Sequence, residues 1–343
     1  MDLKRDEQLM RRALCQARKG LGSTSPNPAV GAVIVKEGRI LATGYHRKAG
    51  GPHAEIEAIS ALVDPAQAEG ATMYVTLEPC STHGHTPPCT EAIIRARFTR
   101  VVTGAIDPNS KHQGRGINHL REAGIAVTTG VLGEESMRLN VGFNKWITTG
   151  TPWVIAKVAQ SLDGHITRPP GEPQWLSSNH SLRLVQRLRS TVDAILVGAE
   201  TVRRDNPRLT LRPFRNRIQP WRIIATRSGN LPSGAAVFTD EFRERTLVFR
   251  EQSWSEILHK LGSLNVTRLL VEGGGEILGS LLDEHQIDQL WCFITPLLTG
   301  GDKPAFAGAG VTRNQDAFLM ESVRYKQIGQ DLLVIGEIKR LAD

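Results

Sequence analysis

His53-Ala54-Glu55, followed by Thr76-Leu77-Glu78-Pro79-Cys80 and, after eight more residues, Cys89, is the stretch on which the first half of this chain turns. One imidazole and two thiolates give three ligands to a tetrahedral zinc and leave its fourth position open, as in a catalytic rather than a closed structural site. The candidate metal ligands are therefore His53, Cys80 and Cys89, and Glu55, two residues past the histidine, is the candidate catalytic base. Zinc can lower the pKa of water to about 7, and a carboxylate that does not itself ligate can take that proton and deliver it to a leaving amine. Lone cysteines and histidines are more often buried filler, and two cysteines nine positions apart make no tight Cys-x-x-Cys hook. The context argues for a site, because apolar helical periods follow both ligand groups: Ile56, Ile59, Ala61 and Leu62 after His53, and Ala92, Ile93 and Ala96 after Cys89. Both groups then sit at helix N-termini, where the helix dipole favours thiolate and carboxylate.

The same pattern, His-x-Glu with a downstream Pro-Cys pair, is the signature of zinc deaminases that act on nucleobases. The 343 residues suffice for two domains with separate cores, and an apolar fraction of 40% with 22% charged residues belongs to a soluble globular chain. No apolar run reaches bilayer-spanning length, and Met1-Asp2-Leu3-Lys4-Arg5-Asp6-Glu7 lacks the apolar core of a signal peptide. The expectation is a cytoplasmic protein with no membrane partner. With two of four cysteines assigned to metal, Cys15 and Cys292 are expected to be buried, inert thiols. A net charge of +7 would suit nucleic acid, an anionic membrane face or a phosphorylated small molecule. Arginines are densest between Arg203 and Arg222, but aromatics at 5% offer few stacking platforms for bases, which argues against nucleic acid.

Outward from the zinc stretch, apolar periodicity predicts a first helix over Asp6–Lys19 and a hairpin from Ala29–Val35 and Arg39–Tyr45. Strands follow at Thr72–Thr76, Arg100–Ala105 and Ile125–Thr129, with a helix at Gly116–Ala123 and a closing helix at Glu134–Ile147. Strands alternating with helices make an α/β unit around one mixed sheet. Thr149-Gly150-Thr151-Pro152 is the best boundary, so the domains are read as 1–149 and 150–343. A second alternating series has strands at Trp153–Val158, Ala194–Val197, Arg222–Thr226, Thr246–Phe249, Arg268–Val271, Gln289–Ile294 and Leu332–Ile338, with helices near Ser178–Arg189, Trp254–Leu261 and Gly275–Leu282. Two features of this half bear on chemistry. Val271-Glu272-Gly273-Gly274-Gly275-Glu276-Ile277-Leu278-Gly279 runs from strand through glycines into helix, so backbone N–H groups could cradle a phosphate, or the glycines could serve tight packing alone. Arg189 continues the apolar face of Leu182, Val185 and Leu188, where a cation either snorkels or reaches into a cleft.

Taken together, these strings resemble the bifunctional riboflavin-biosynthesis family, a pyrimidine deaminase fused to a reductase. The resemblance runs through Pro26-Asn27-Pro28-Ala29-Val30-Gly31, Gly44-Tyr45-His46, His53-Ala54-Glu55, Tyr74-Val75-Thr76-Leu77-Glu78-Pro79-Cys80-Ser81, Thr86-Pro87-Pro88-Cys89 and Gly114-Arg115-Gly116. In the second half it runs through Ser161-Leu162-Asp163-Gly164, Ile195-Leu196-Val197-Gly198, Thr201-Val202, Asp205-Asn206-Pro207, Leu209-Thr210 and Glu272-Gly273-Gly274. It implies an N-terminal cytidine-deaminase-like three-layer domain and a C-terminal dihydrofolate-reductase-like α/β domain. It also implies a zinc-dependent deamination of 2,5-diamino-6-(5-phosphoribosylamino)pyrimidin-4-one, then reduction of the ribosyl group to ribityl with NADPH, in a cytoplasmic homo-oligomer.

By position, the resemblance assigns Ala159, Trp175, Thr201, Asp205, Arg227 and the run Gly274, Gly275, Glu276, Ile277, Leu278, Gly279 and Ser280 to the cofactor. Asn27, His46 and His85 would face the deaminase substrate, and Pro173, Arg189, Leu209, Arg212 and Glu272 the reductase substrate, with Arg189 and Arg212 suited to a phosphate by bidentate hydrogen bonds. The chain departs from the family at Pro173, where Ser is common, at Thr82, where His is usual, and at His85, where Lys or Arg is usual. Two other readings stay open. A nucleic-acid or nucleoside deaminase would explain zinc and basicity but leave the second domain as an accessory, and a silent zinc-stabilised binding protein would need no Glu55.

Overall fold

Met10, Ala13, Leu14 and Ala17 recur at helical spacing along the first helix, α1 (Leu3–Ala17), and this stripe seats it on a sheet against Val33, Val35, Tyr74 and Val102. The computed structural model describes residues 3–82, 87–166, 176–212 and 218–340. His85, Pro173 and Trp175 lie outside the described residues. Two units emerge, Met1–Gly150 and Thr151–Asp343. Among the described residues no helix is long and apolar enough to cross a membrane.

The sheet of the first unit consists of β1 (Gly31–Lys36), β2 (Arg39–Tyr45), β3 (Thr72–Leu77), β4 (Arg100–Ala105) and β5 (Ala126–Thr128), in the order β2-β1-β3-β4-β5. β1 is antiparallel to β2 and β3, whereas β3, β4 and β5 are parallel. Successive side chains of β3 part to opposite faces, as the two-residue period of a strand requires. Met73 and Val75 join Ala54 and Ala58 of α2 (Ala54–Ser60), Ile93 of α3 (Cys89–Arg95) and Leu120 of α4 (Arg115–Glu122), while Tyr74 joins α1. The result is three layers, helix on sheet on helix. The single helix expected at Glu134–Ile147 is instead two, α5 (Gly133–Leu139) and α6 (Val141–Thr149). Asn140 causes the break: its buried amide accepts from Ala29 N at 2.8 Å and donates to Ala29 O at 3.0 Å, a bridge an unbroken helix could not aim.

The second unit holds an eight-stranded sheet in the order β12-β13-β11-β6-β10-β7-β8-β9. Its members are β6 (Trp153–Ser161), β7 (Ala194–Gly198), β8 (Trp221–Thr226), β9 (Thr246–Arg250), β10 (Arg268–Val271), β11 (Gln289–Thr295), β12 (Phe318–Ile328) and β13 (Asp331–Arg340). All neighbours from β11 to β9 are parallel, and the β12–β13 hairpin adds antiparallel strands at one side. Leu269 and Val271 of β10 pack under α10 (Trp254–Ser263) and α11 (Gly275–Asp283), and Leu270 packs on the face of α7 (Asn179–Arg189), α8 (Ala199–Asp205) and α9 (Ala236–Thr239). Strand β12 was not expected from the sequence, because an edge strand with a register shift between Glu321 and Arg324 shows no clean alternation. Cys292 is buried in β11 as expected, but Cys15 is exposed on α1, whose apolar stripe passes on the other side.

The first unit is also stapled by charge. Arg100 donates to both carboxylate oxygens of Asp6, at 3.0 and 2.7 Å, and Tyr74 Oη donates to the same group at 2.7 Å. Burial opposes ionisation of Asp6, but the hydrogen bonds from Arg100 and Tyr74 outweigh it, so its pKa lies below the usual carboxylate value. A depressed folded-state pKa adds stability that is present above the unfolded value, about 3.9, and is lost as pH falls through the folded one. Asp6→Asn should therefore destabilise the first unit by on the order of 3 kcal/mol near neutral pH. The gap to wild type should close as pH falls below about 4. Urea unfolding followed between pH 7 and 3 checks this, and a gap that did not change with pH would contradict it.

Candidate active sites

The first site forms where β3 ends. Its last residue passes the chain to Glu78-Pro79-Cys80, while His53 is the N-cap residue of α2 and Cys89 the first residue of α3. His53 Nδ1 lies 3.2 Å from Cys89 Sγ and 3.5 Å from Cys80 Sγ, and the three ligand atoms all fall within 4.8 Å of one another. Cys89 N donates to Cys80 Sγ at 3.3 Å, as a helix N-terminus does to an anion. The Cys89 thiol and then His53 hydrogen-bond to Cys80, which overcomes burial and lowers its pKa to about 4, while the same contact with the Cys80 sulfur holds Cys89 protonated and pushes its pKa far up. One soft divalent cation in place of those shared protons suits an imidazole and two thiolates, so the donor set fits zinc.

Glu55 is 3% exposed in the first turn of α2. Burial and then the Cys80 thiolate push its pKa up to about 7, where a carboxyl group can both take and give a proton near neutrality. His46 is 2% exposed, and burial pushes its pKa down. Its Nδ1 lies 2.9 Å from Pro52 O, an atom that accepts only, so Nδ1 carries the proton and Nε2 accepts from Asn27 Nδ2 at 3.3 Å. Its ring meets that of His53 edge-on at 5.5 Å. Asn27, His46, His53, Glu55, Cys80 and Cys89 thus form one neighbourhood.

Glu78 is a brace that the sequence reading passed over, although it stands inside the quoted motif. It is 5% exposed. Its Oε2 accepts from Asp107 N and Gly114 N, and its Oε1 from Gly116 N and Ile117 N, at 2.9 to 3.3 Å. The loop before α4 and the first turn of that helix are thereby tied to the residue two before Cys80. Gly116 permits the approach, since a Cβ there would collide with Pro79 O.

The second site is a cleft of about 380 Å³ in the other unit, where β10 and β7 deliver their C-terminal ends. The chain leaves β6 and passes over β10 to reach β7, and such a topological switch point is where open α/β sheets bind ligands. Of the residues expected to act here, Ala159, Arg189, Thr201, Asp205, Leu209, Arg212, Glu272 and Gly274 line the cleft. Arg189 does not stand free: its Nε and Nη2 each donate at 2.7 Å to the two oxygens of Glu272, both side chains nearly buried. Burial would neutralise either group alone, but the pairing holds Glu272 below the usual carboxylate range and Arg189 above its own.

The glycine-rich run divides. Gly274 lines the cleft, but Leu278 is fully buried in the core and Ser280 Oγ accepts from Trp254 Nε1 at 2.8 Å. A Cβ on Gly275 or Gly279 would collide with the backbone of Pro304 or Gly308. Leu278, Gly275 and Gly279 serve packing, while Glu276 is exposed and the backbone amides at the start of the run stay open to a ligand. Arg227 follows β8, 89% exposed and 3.9 Å from the exposed Glu276. Sequence reasoning missed Lys157 and Arg208, which also line the cleft. Lys157 did carry a signal, a charge inside the apolar run Trp153-Val154-Ile155-Ala156 to Val158.

Residues 3–105 match the family described as cytidine and deoxycytidylate deaminase zinc-binding region, and residues 152–334 the RibD C-terminal domain. The chain is 38% identical over 349 residues to the riboflavin biosynthesis protein RibD of Aquifex aeolicus, covering 96% of this chain and 97% of that one. A structure of Acinetobacter baumannii RibD superposes with a TM-score of 0.89 at 34% identity, over 99% of this chain and 100% of that one. A Thermotoga maritima diaminohydroxyphosphoribosylaminopyrimidine deaminase/5-amino-6-(5-phosphoribosylamino)uracil reductase superposes at 0.88 with 35% identity, over 99% and 100%.

Glu78→Gln would turn amide hydrogens toward backbone N–H groups that need an acceptor. The variant should fold but hold zinc about tenfold more weakly, as the loss of groups that orient a ligand does elsewhere. Competition with a coloured chelator measures this, and an unchanged zinc affinity would separate Glu78 from the metal site.

Proposed function

Since the chain belongs to the RibD family of bifunctional deaminase/reductases in riboflavin biosynthesis, we propose that its two units carry the two reactions in order, deamination at 1–150 and reduction at 151–343. The observation that carries the reading is the meeting of His53 Nδ1, Cys80 Sγ and Cys89 Sγ beside buried Glu55, in a unit distinct from the one with the cleft. The proposed substrates are those in the Thermotoga protein's description: the diaminopyrimidine bearing a phosphoribosylamino group, then the corresponding uracil. Four free cysteines among the described residues accord with a reducing, cytoplasmic setting.

Zinc, held by His53, Cys80 and Cys89, would supply the Lewis acidity that makes water a competent nucleophile at neutral pH. Glu55 takes a proton from water as the water oxygen bonds to the ring carbon bearing the amine, and passes it to the adjacent ring nitrogen. It then moves the remaining hydroxyl proton to the exocyclic nitrogen, so that the C–N bond breaks, ammonia leaves and a carbonyl remains. Asn27, oriented by its bond to His46, presents its carboxamide to the ring. In the cleft NADPH would supply hydride to the ribosyl group. Lys157, Arg208 and Arg212 give the cleft cations for a phosphate. Glu272, clamped by Arg189, offers substrate hydroxyls an acceptor of fixed direction. A nucleic-acid deaminase would leave this cleft, with its buried ion pair and cations, without a use.

Glu55→Gln should lower ammonia release by a factor of about 10² to 10⁴, the usual worth of a general acid–base group. Zinc content and NADPH oxidation on pre-deaminated uracil substrate should persist, because Glu55 is neither a ligand nor part of the cleft. Loss of the metal, or of both activities, would overturn the assignment.

Arg227 is proposed to read the 2′-phosphate that distinguishes NADPH from NADH, since its guanidinium is open to solvent at the turn after β8. Arg227→Ala should reduce the preference for NADPH over NADH about tenfold, the worth of one charged hydrogen bond. Steady-state kinetics with both cofactors measures it, and an unaltered ratio would remove Arg227 from the cofactor site.

A further inference from the structure

The largest fully buried side chain among the described residues is an arginine that neither reaction uses. Arg222, 1% exposed, is the second residue of β8 and points to the α9 side of the sheet. Its Nη1 donates to Asp240 Oδ2 at 2.7 Å and to Arg208 O at 3.3 Å, and its Nη2 to Val237 O at 2.9 Å, while its Nε finds no partner among the described residues. A buried ion pair with an orphaned donor is a poor stabiliser, and apolar side chains of the same volume often do as well or better. What Arg222 touches suggests why it is there.

Arg208 belongs to the segment Asn206–Arg212, most of which lines the cleft. Two non-glycine residues in it are left-handed, Asn206 at φ 41° and Leu209 at φ 53°. Left-handed conformations of side-chain-bearing residues persist only where the surroundings over-determine them. Three contacts do so here. Asn206 Oδ1 accepts from Ala236 N at 2.7 Å, Arg222 holds the carbonyl of Arg208, and Gln219, 8% exposed, accepts from Leu211 N at 2.8 Å through its Oε1. The last two grip backbone groups on either side of Leu209, so they fix the direction in which Arg208 and Arg212 leave the chain.

We propose that Arg222 and Gln219 are positioning residues that hold the strained 206–212 segment with Arg208 and Arg212 aimed into the cleft, and that they thereby set its preference for a phosphorylated pyrimidine substrate. The inference rests on the reading of the cleft as the reductase site. Neither residue touches substrate. Both act through backbone atoms of the residues that do, so the consequence is confined to the anionic end of the ligand.

The test compares reduction of 5-amino-6-(5-phosphoribosylamino)uracil with that of its dephosphorylated riboside, in the full-length enzyme, for Arg222→Lys, Gln219→Leu and Arg212→Ala. A lysine keeps the charge beside Asp240 but lacks the planar fork whose two Nη atoms reach Asp240 and Arg208 O on one side and Val237 O on the other. Arg222→Lys and Gln219→Leu should each raise KM for the phosphorylated substrate about tenfold with kcat little changed, the pattern of lost uniform binding. KM for the riboside, KM for NADPH and ammonia release should stay within twofold of wild type, taken as roughly the scatter of exposed, uninvolved positions. If both variants fold and keep the full preference for phosphate, or lose both substrates alike, the positioning inference is overturned. If Arg222→Lys does not fold, Gln219→Leu decides in the same way. Arg212→Ala separates the two levels: a preserved phosphate preference in that variant overturns the reading of the cleft itself, whereas its loss there with full preference in the other two overturns the positioning inference alone.

Discussion

A parallel strand covered by helices on both faces has only its ends left to present polar groups, and both units of this chain are built under that constraint. In the first, β3 and β4 are largely buried on each side and the chemistry is displaced beyond Leu77, onto Glu78-Pro79-Cys80 and the helix starts at His53 and Cys89. In the second, β6, β10, β7 and β8 are sandwiched in the same way, and the cleft opens where β10 passes into Glu272-Gly273-Gly274. Short helices that begin at those ends bring unpaired N–H groups with them. This is why Cys89 N meets a sulfur and why the amides of Gly116 and Ile117, with two more from the loop before α4, converge on Glu78.

Displacing charge to strand ends does not keep it in water. Glu55, Glu78, Arg189 and Glu272 are nearly or fully buried, and each is treated differently. Glu78 is answered by amides, which satisfy a carboxylate without a counter-charge. Arg189 and Glu272 answer each other in a two-bond fork that fixes both planes. Glu55 has no cation paired to it among the described residues and sits near the Cys80 thiolate, so its proton is held near neutral pH. The carboxylate that must exchange protons is the one left least compensated, and those that must stay fixed are the ones fully bonded.

The zinc neighbourhood was legible because ligand chemistry restricts residue types and spacing at once: His53, Cys80 and Cys89 could be named before any strand was placed. The layers were legible from two-residue and helical periods. What escaped has physical reasons. The break at Asn140 depends on an amide reaching Ala29, 111 residues away in sequence, and nothing local to α5 and α6 announces it. β12 is an edge strand with few buried positions, so it has no period to read. Along the glycine-rich run, Gly273 and Gly274 line the cleft ahead of α11, whose own side chains alternate between the core, as at Leu278, and solvent, as at Glu276. Arg189 does reach the cleft, and there it is paired with the protein's own Glu272, a partner that no local sequence feature announces.

Charged residues inside otherwise apolar strands offer a finer rule. Arg100 opens β4, Arg268 opens β10 and Arg222 is second in β8, all at the end of a parallel strand remote from the chemistry. Arg100 is answered there by a fixed acid, Asp6. Arg268 is so buried that its pKa falls despite the nearby Asp193, whose carboxylate accepts from the Arg268 backbone N at 3.0 Å. Lys157 is the middle residue of β6, one past Ala156, which pairs with the last residue of β10, and it lines the cleft. In a parallel sheet, then, the position of a charge along its strand separates braces from site groups better than its burial does. Arg222 sits with the braces but grips Arg208 O as well as Asp240. A brace of that kind can shape a site from below while touching none of its ligands.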